Sequence, residues 1–328
     1  MPPQPRPQVL DAYWEFAAER QRIYLRRLAG LTTPWTDDPV LDTYKFCNAY
    51  RAADRVSQYL IRNVIYADRA YGPEDRLLRI VLFRLFSRPA TWELLTSANG
   101  DVTNETLGNG SLAKTLDEAH AAGRKLYTGA FILCATRAFG HERKHRNHLA
   151  LVEQMMRPNG LTRAVARASS LGDLYEALRE YPLIGPFMAY QLAIDVNYSE
   201  LCDFDESERS VAGPGARRGI AKCFSDRGGW SEEEVILWMT ERQDAEFERL
   251  DIDFPSLFGR RLQAIDIQNL FCEVDKYARV AFPDLKSNRT QIKARFKPTG
   301  PLPEPFFPPK WNLKPDAGLG GGQLTLAA

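Results

Sequence analysis

Residues 182–205 begin Pro182-Leu183-Ile184-Gly185-Pro186-Phe187-Met188-Ala189-Tyr190-Gln191-Leu192 and end Cys202-Asp203-Phe204-Asp205. A Gly-Pro step ahead of an apolar run predicts a turn that opens a helix, because proline is tolerated in a first helical turn. The unpaired N–H groups of that turn, near Gly185, suit an anion such as a phosphate. Phe187, Met188, Leu192, Ile194 and Val196 make the helix apolar enough to sit in a core. It delivers Asp203 and Asp205 beyond its far end. These two flank apolar Phe204, so they can project to one side. Paired carboxylates push their pKa values apart, which suits one of them to base chemistry. The plain alternatives are a sharp glycine turn and a solvated acidic loop or N-cap.

Outward from this stretch the pattern stays helical. Apolar periodicity predicts helices over 9–29 (Trp14, Phe16, Ile23, Leu28) and 48–67 (Val56, Leu60, Val64, Ile65). A third follows Gly72-Pro73 (Leu77, Ile80, Val81, Leu85), and others lie near 111–122, 145–157, 171–180, 187–198, 215–224, 231–247 and 261–282. Residues 127–136 read as a strand or a buried helix. No βαβ alternation and no repeat is present, so the fold class is all-α. Residues 1–297 are expected to form one bilobal helical domain, and 298–328, rich in Pro and Gly, a flexible tail.

Composition removes several classes. Of 328 residues, 44% are hydrophobic and 11% aromatic, enough for a real core and against global disorder. A formal charge of +1 argues against histone-like coating of a polyanion. Five cysteines without a CxxC pair argue against zinc ribbons and clustered iron–sulfur sites. No apolar run is long enough to span a bilayer, and the N-terminus lacks a signal-peptide core. The expectation is a cytoplasmic protein with reduced thiols and no membrane partner.

Four constellations carry chemistry. Gly213-Pro214-Gly215-Ala216-Arg217-Arg218-Gly219 joins glycine freedom, a helix start and two guanidiniums, an anion-binding combination. The phosphate-loop pattern Gly-x-x-x-x-Gly-Lys is missing, which disfavours a P-loop kinase. Asn48, Arg51 and Arg55 fall at helical spacing beside Asp54, as a pocket lining or as an internal ion pair. Asp266, Asn269, Glu273 and Lys276 line one face of a late helix whose buried side carries Ile265, Leu270, Phe271 and Val274. That face is either solvated or closes a site. His141-Glu142-Arg143-Lys144-His145 formally matches the zincin pattern, but its interior cations oppose a metal and no third ligand is evident. No metal site is assigned. Arg137, Arg143, Lys144, His145 and Arg146 read better as a phosphate surface. Arg289, Lys293, Arg295 and Lys297 around Phe296 form a second such surface or a solvated tail.

The 182–205 stretch resembles the helix-hairpin-helix DNA glycosylases, in which a Leu-Pro-Gly-Ile-Gly-like hairpin precedes a catalytic Asp. Asp205 is the closer match and Asp203 the second. Leu183 stands for the hairpin's first glycine, and Phe187 for the Schiff-base lysine of bifunctional members, which leaves lyase chemistry unsupported. A wider resemblance rests on Pro34-Trp35-Thr36-Asp37-Asp38-Pro39, Lys45-Phe46 to Asn48, Tyr50 to Leu60, Gly213 to Ala216 and Phe271 to Tyr277. Together they resemble DNA base hypermodification proteins, the alpha-glutamyl/putrescinyl thymine pyrophosphorylases. The same module is described as the helical domain of 5-hydroxymethyldeoxyuridine DNA kinase.

The resemblance implies a glycosylase-like, base-flipping fold acting on 5-hydroxymethyluracil, or its phosphorylated form, in phage or bacterial DNA. An amine then displaces pyrophosphate at the 5-methylene carbon. Arg51, Arg55, Arg217 and Arg218, with the turns at Gly185, Gly213 and Gly215, would hold phosphate or DNA. Asp205, Asp203 or Glu273 would take a proton, and Asn48, Asp54, Asp266, Asn269 and Lys276 would line the pocket. No cofactor is expected beyond an amine or phosphorylated-base cosubstrate. The partners are DNA and a separate P-loop 5-hydroxymethyluracil DNA kinase. The rival expectations are a recognition module without chemistry and a monofunctional glycosylase.

Overall fold

The computed structural model describes residues 1–129, 137–285, 288–298 and 300–314. Two compact units emerge, one made of Met1–Asp54 with Glu206–Ala328, the other of Arg55–Asp205. Unit 1 opens with a short strand, β1 (Gln4–Pro5), then α1 (Pro7–Leu28) and α2 (Pro39–Thr43), and a single 3-10 turn at Arg51–Ala53. Unit 2 holds α3 (Arg55–Tyr59), a π-helical stretch Leu60–Ile65, α4 (Pro73–Phe86), α5 (Pro89–Asn99), α6 (Asn104–Gly108) and α7 (Ser111–Ala121). It continues through α8 (Lys144–Met155), α9 (Leu161–Arg167), α10 (Leu171–Arg179) and α11 (Pro186–Asn197). The chain returns to unit 1 with α12 (Pro214–Cys223), strand β2 (Phe224–Asp226), α13 (Glu232–Arg249) and α14 (Ala264–Ala281). Strands β1 and β2 pair antiparallel, the one sheet among the described residues. The structure is thus overwhelmingly helical, as the periodicity predicts. The ambiguous 127–136 segment lies mostly outside the described residues.

In unit 1 the core is α1 and α12 packed on α14. Pro7 fills the first turn of α1, and Arg26 and Arg27 sit in its last turn, where cations complement the helix dipole. Tyr13, Trp14 and Ala17 are fully buried, and the Tyr13 hydroxyl donates to the Ile267 carbonyl at 3.0 Å. Arg6 caps the C-terminus of α12 by donating to the carbonyls of Ala221, Lys222 and Phe224 at 2.7–3.1 Å. Two glycines set how closely α12 approaches α14. A Cβ on Gly219 would lie 1.9 Å from the Phe271 carbonyl oxygen, and one on Gly215 would lie 2.2 Å from the Cys272 sulfur. Gly219 is glycine because backbone meets backbone there, and Gly215 because a side chain, that of Cys272, fills the space.

The predicted helix over 48–67 is not continuous. Asn48 lies outside any helix, Arg51–Ala53 is a 3-10 turn, and Asp54 is extended. The helical face that would align Asn48, Arg51 and Arg55 therefore does not form. Arg55 is exposed in unit 2, whereas Arg51 is buried in unit 1. The proline-rich segment expected to trail free is laid on unit 1 over its described part. Phe307 is buried against Phe258, and a 3-10 turn at Pro309–Trp311 stacks Trp311 on Phe307.

Unit 2 centres on α4, with Leu77, Leu78, Ile80, Val81 and Leu82 fully buried. One turn on, Arg84 donates to Asp195 of α11 with two nitrogens, one contact at 2.7 Å, both side chains buried. Breaking such a buried pair from one side costs about 3–5 kcal/mol. Helices α10 and α11 form a helical hairpin. Its turn is held by Arg179 donating to the Ile184 carbonyl at 2.8 Å, with Leu183 at a φ of 68°. That left-handed conformation is one glycine adopts freely, which fits a turn whose resemblance places a glycine there.

Candidate functional site: a buried row of acids

The side chains with the most chemical potential lie in unit 1, along one face of α14. Asp266 and Glu273 are seven residues apart, two helical turns, and share that face. Both are buried, so the predicted polar face of this helix points into the protein. The loop 47–54 runs along it. Cys47 N–H donates to Glu273 Oε2 at 2.9 Å, and Arg51 N–H to Asp266 Oδ1 at 2.7 Å. Buried carboxylates need such donors, and the backbone loop supplies them. Asp266 also accepts the Gln263 N–H at 2.9 Å, closing the N-terminal cap of α14. Glu273 is paired with Lys276 one turn further along the helix.

The loop is knotted on itself. Asn48 N–H donates to Asp54 Oδ1 at 2.9 Å, and the Asn48 amide donates to the Ala53 carbonyl at 2.8 Å. Arg20 of α1 donates to the Cys47 carbonyl and to Asn48 Oδ1, each at 3.0 Å. Asp54 is lifted to about 6, chiefly by burial; the Asn48 N–H and Arg20 oppose the shift and the Glu273 charge reinforces it. No Arg51–Asp54 or Arg55–Asp54 pair is needed to explain Asp54.

Glu206 is the acid that the sequence reading passed over. It follows Asp205 directly, yet it is buried while Asp203 and Asp205 are exposed. Phe204 explains the difference. Its N–H and carbonyl are both clamped by the Asn197 side chain, at 2.8 and 3.0 Å, so the chain's flanking acids turn outward. Arg260 Nη2 donates to Glu206 Oε1 at 2.9 Å, and Trp311 lies against the other side of that guanidinium, 3.8 Å from ring centroid to Cζ. Burial pushes Glu206 up to about 7; Arg260, Lys310 and Arg51 pull down and the Asp266 charge pushes up. Asp266 rises to about 6 for the same first reason, against its two backbone bonds and the charges of Arg260 and Arg51. Two coupled acids here change protonation near neutrality, the condition for general acid–base work. The one sequence signal for Glu206 was its place in Asp203-Phe204-Asp205-Glu206, a run in which only one phase turns inward.

The other predicted positions fall elsewhere. Gly185 and Gly213 are the N-cap residues of α11 and α12. Gly213 is buried and Gly185 exposed, and Gly215 serves the helix contact already described. Arg217 is exposed, whereas Arg218 Nε donates to Asp275 Oδ2 at 3.0 Å. Asn269 is half-buried on α14, on the same side as Asp266 and Glu273. The His-Glu-x-x-His stretch straddles the start of α8, so His141 lies outside the helix. His145 is buried against Asp117 at 2.7 Å. Asp117 also takes Arg143 at 2.9 Å and Arg146 at 3.0 Å, so two guanidiniums share one carboxylate.

The family described as "5-hmdU DNA kinase, helical domain" matches residues 7–287. The chain belongs to that family. It is also 28% identical over 286 residues to a "5-hmdU DNA kinase" of Bacillus phage SP10. The match covers 81% of this chain and 44% of the relative, so the chain spans less than half of that protein's length. No solved structure matches it. Both units contribute to the matched region, and the acid row, Glu206 and Arg260 all lie inside it. Trp311 lies beyond it.

Proposed function

We propose that this helical module handles 5-hydroxymethyluracil in DNA, and that the acid pair Glu206–Asp266 is its proton-handling centre. The observation that carries the proposal is a buried glutamate raised to about 7 and paired to Arg260, inside the part of the chain that matches the kinase helical-domain family. The α10–α11 hairpin supports a helix-hairpin-helix, glycosylase-like reading, with the N-terminus of α11 contacting a backbone phosphate and the modified base flipped out of the stack.

The reaction proposed is group transfer at the 5-methylene carbon, as in the thymine pyrophosphorylases. An amine nitrogen attacks that carbon, the carbon–oxygen bond breaks, and pyrophosphate leaves with its electron pair. The amine's proton passes to Glu206. Arg51 and Arg260 offset the charge developing on the leaving group. The name of the phage relative favours a second reading, in which the module presents the 5-hydroxymethyl group to a kinase.

The test is incubation with DNA carrying 5-hydroxymethyluracil, and with its pyrophosphorylated form, plus candidate amines, followed by nucleoside mass spectrometry. An amine adduct that persists in Asp205→Asn and falls at least 100-fold in Glu206→Gln supports the transferase with Glu206 as base. Loss in Asp205→Asn alone returns the role to the exposed acid. Unchanged nucleosides with measurable DNA binding favour the presenting module, and a freed base indicates a glycosylase.

A further inference from the structure

A strongly basic surface of unit 1 plays no part in the acid row. Residues 288–298 carry Arg289, Lys293, Arg295 and Lys297, all exposed, and no acid. The sequence leaves open whether this run is a solvated tail. In the structure it is stitched to the body. Lys45 N–H donates to the Ala294 carbonyl and Phe296 N–H to the Thr43 carbonyl, both at 2.9 Å, and Tyr44 and Arg295 form an antiparallel bridge. Phe296 turns inward, with Trp35 at 6.0 Å and Arg27 at 5.5 Å from its ring. The cations are therefore displayed from an anchored ribbon, and less conformational entropy is lost when they meet a partner.

The charge continues beside the ribbon. Arg279 donates to the Gln291 carbonyl at 3.0 Å with one nitrogen and to Asp275 Oδ2 at 2.6 Å with the other. Arg218 and Lys222 reach the same carboxylate, at 3.0 and 3.2 Å. Three cations share one acid, so positive charge is left over, and Arg217 beside them is exposed. Around the stitched segments Lys45 adds a further cation, and the neighbouring exposed acids are Asp42, Asp37 near Trp35, and Asp284 ahead of the ribbon in sequence. With a formal charge of only +1 over the whole chain, this concentration on one surface is a strong local departure.

We infer that the ribbon 288–298, with exposed Arg217 and partly exposed Arg218 beside it and the buried charges of Lys222 and Arg279 behind, is a docking surface for the phosphate backbone of a nucleic acid strand. The inference rests on the DNA reading above and adds to it a second contact, on a different unit from the α10–α11 hairpin. Lys293, Arg295 and Lys297 occupy alternate positions, about 6.6 Å apart along an extended chain. That is close to two steps of the roughly 3.4 Å axial repeat of phosphates along one strand. The partly exposed Trp35 ring beside the ribbon carries Arg27 over it, 5.1 Å from its centroid, and an aromatic ring next to cations favours nucleic acid over an acidic peptide or a lipid surface.

The experiment is fluorescence anisotropy with a labelled oligonucleotide, titrated from about 50 to 200 mM salt. It compares the wild-type chain with Lys293→Gln/Arg295→Gln/Lys297→Gln and with the corresponding triple Glu variant. The replaced side chains are exposed, so thermal unfolding should be unchanged in both. The expected result is at least a 10-fold loss of affinity in the Gln variant, more in the Glu variant. The slope of log K against log salt should shrink by about 2 to 3 in the Gln variant, near 0.9 per lost phosphate contact. Wild-type binding with an unaltered slope in both variants overturns the docking surface while leaving the DNA reading intact. No oligonucleotide binding by the wild-type chain overturns both. Ribbon-dependent binding to polyglutamate or phosphatidylserine vesicles without binding to the oligonucleotide overturns the choice of partner.

Discussion

Burial makes a carboxyl group hold its proton, and at Glu206 the holding extends from the ordinary 4.5 to about 7. Across that window the folded chain binds more protons than the unfolded one, so stability falls as pH rises from 4.5 through about 7. One pKa unit is worth about 1.4 kcal/mol, which makes the full effect of Glu206 on the order of 3 kcal/mol. Asp54 and Asp266, raised from 3.8 to about 6, add losses of the same sign between those values. Thermal unfolding followed from pH 4.5 to 8 should show Tm declining toward neutrality, with Glu206→Gln flattening the decline. A Glu206→Gln curve parallel to wild type would show that the residue is not protonated in the fold. The lowered acids Asp117 and Asp275 act in the opposite sense below pH 3.8. His148, lowered by burial from 6.5 to about 4, and His145, lowered for the same reason, act in that sense inside the window, so the three raised carboxyls must outweigh them for Tm to fall. The sequence displayed the acidic run 203–206 but not its phase. That phase is set by the Asn197 side chain gripping the Phe204 backbone, a contact between two residues that no periodicity marks.

Helix α12 was legible as a helix from its Gly-Pro start, yet the work of its glycines was not. A Gly-Pro-Gly-Ala-Arg-Arg-Gly string reads equally as an anion cradle or as a packing face. Only the partner helix decides. For Gly219 the added Cβ meets backbone, which cannot step aside, so Gly219→Ala should destabilise the chain by about 1–3 kcal/mol in urea unfolding, or more. Gly215→Ala meets the Cys272 sulfur first and Cys272 Cβ only at 3.2 Å, so adding Cys272→Ala should restore much of the loss. Equal rescue of both glycine variants by Cys272→Ala would contradict this packing. The 48–67 segment shows the converse failure. Its apolar spacing is real in Leu60, Val64 and Ile65, but the carboxylates of α14 capture the preceding backbone N–H groups and prevent a single helix. Tertiary hydrogen bonding overrode local periodicity there.

Across the whole chain, unit 2 is one continuous segment, 55–205, and unit 1 is made of the two segments on either side of it. A continuous unit with its own core in α4 and its own buried Arg84–Asp195 pair should fold when expressed alone. Residues 55–205 are expected to give a helical circular-dichroism spectrum and a cooperative thermal transition, and a non-cooperative melt would show that the segment depends on the rest of the chain. Two lobes were expected, but their boundaries were invisible in composition, because residues 54 and 206 fall within the family-like blocks and the acidic run rather than in a linker. The segment ending at Trp311 has a different consequence. Because it is covalently joined to the surface it covers, it behaves as an intramolecular ligand for Arg260, at an effective concentration on the order of millimolar. A free molecule that uncovers the Arg260–Glu206 pair must therefore outcompete a tethered rival, and weak binders gain access only when Trp311 is removed.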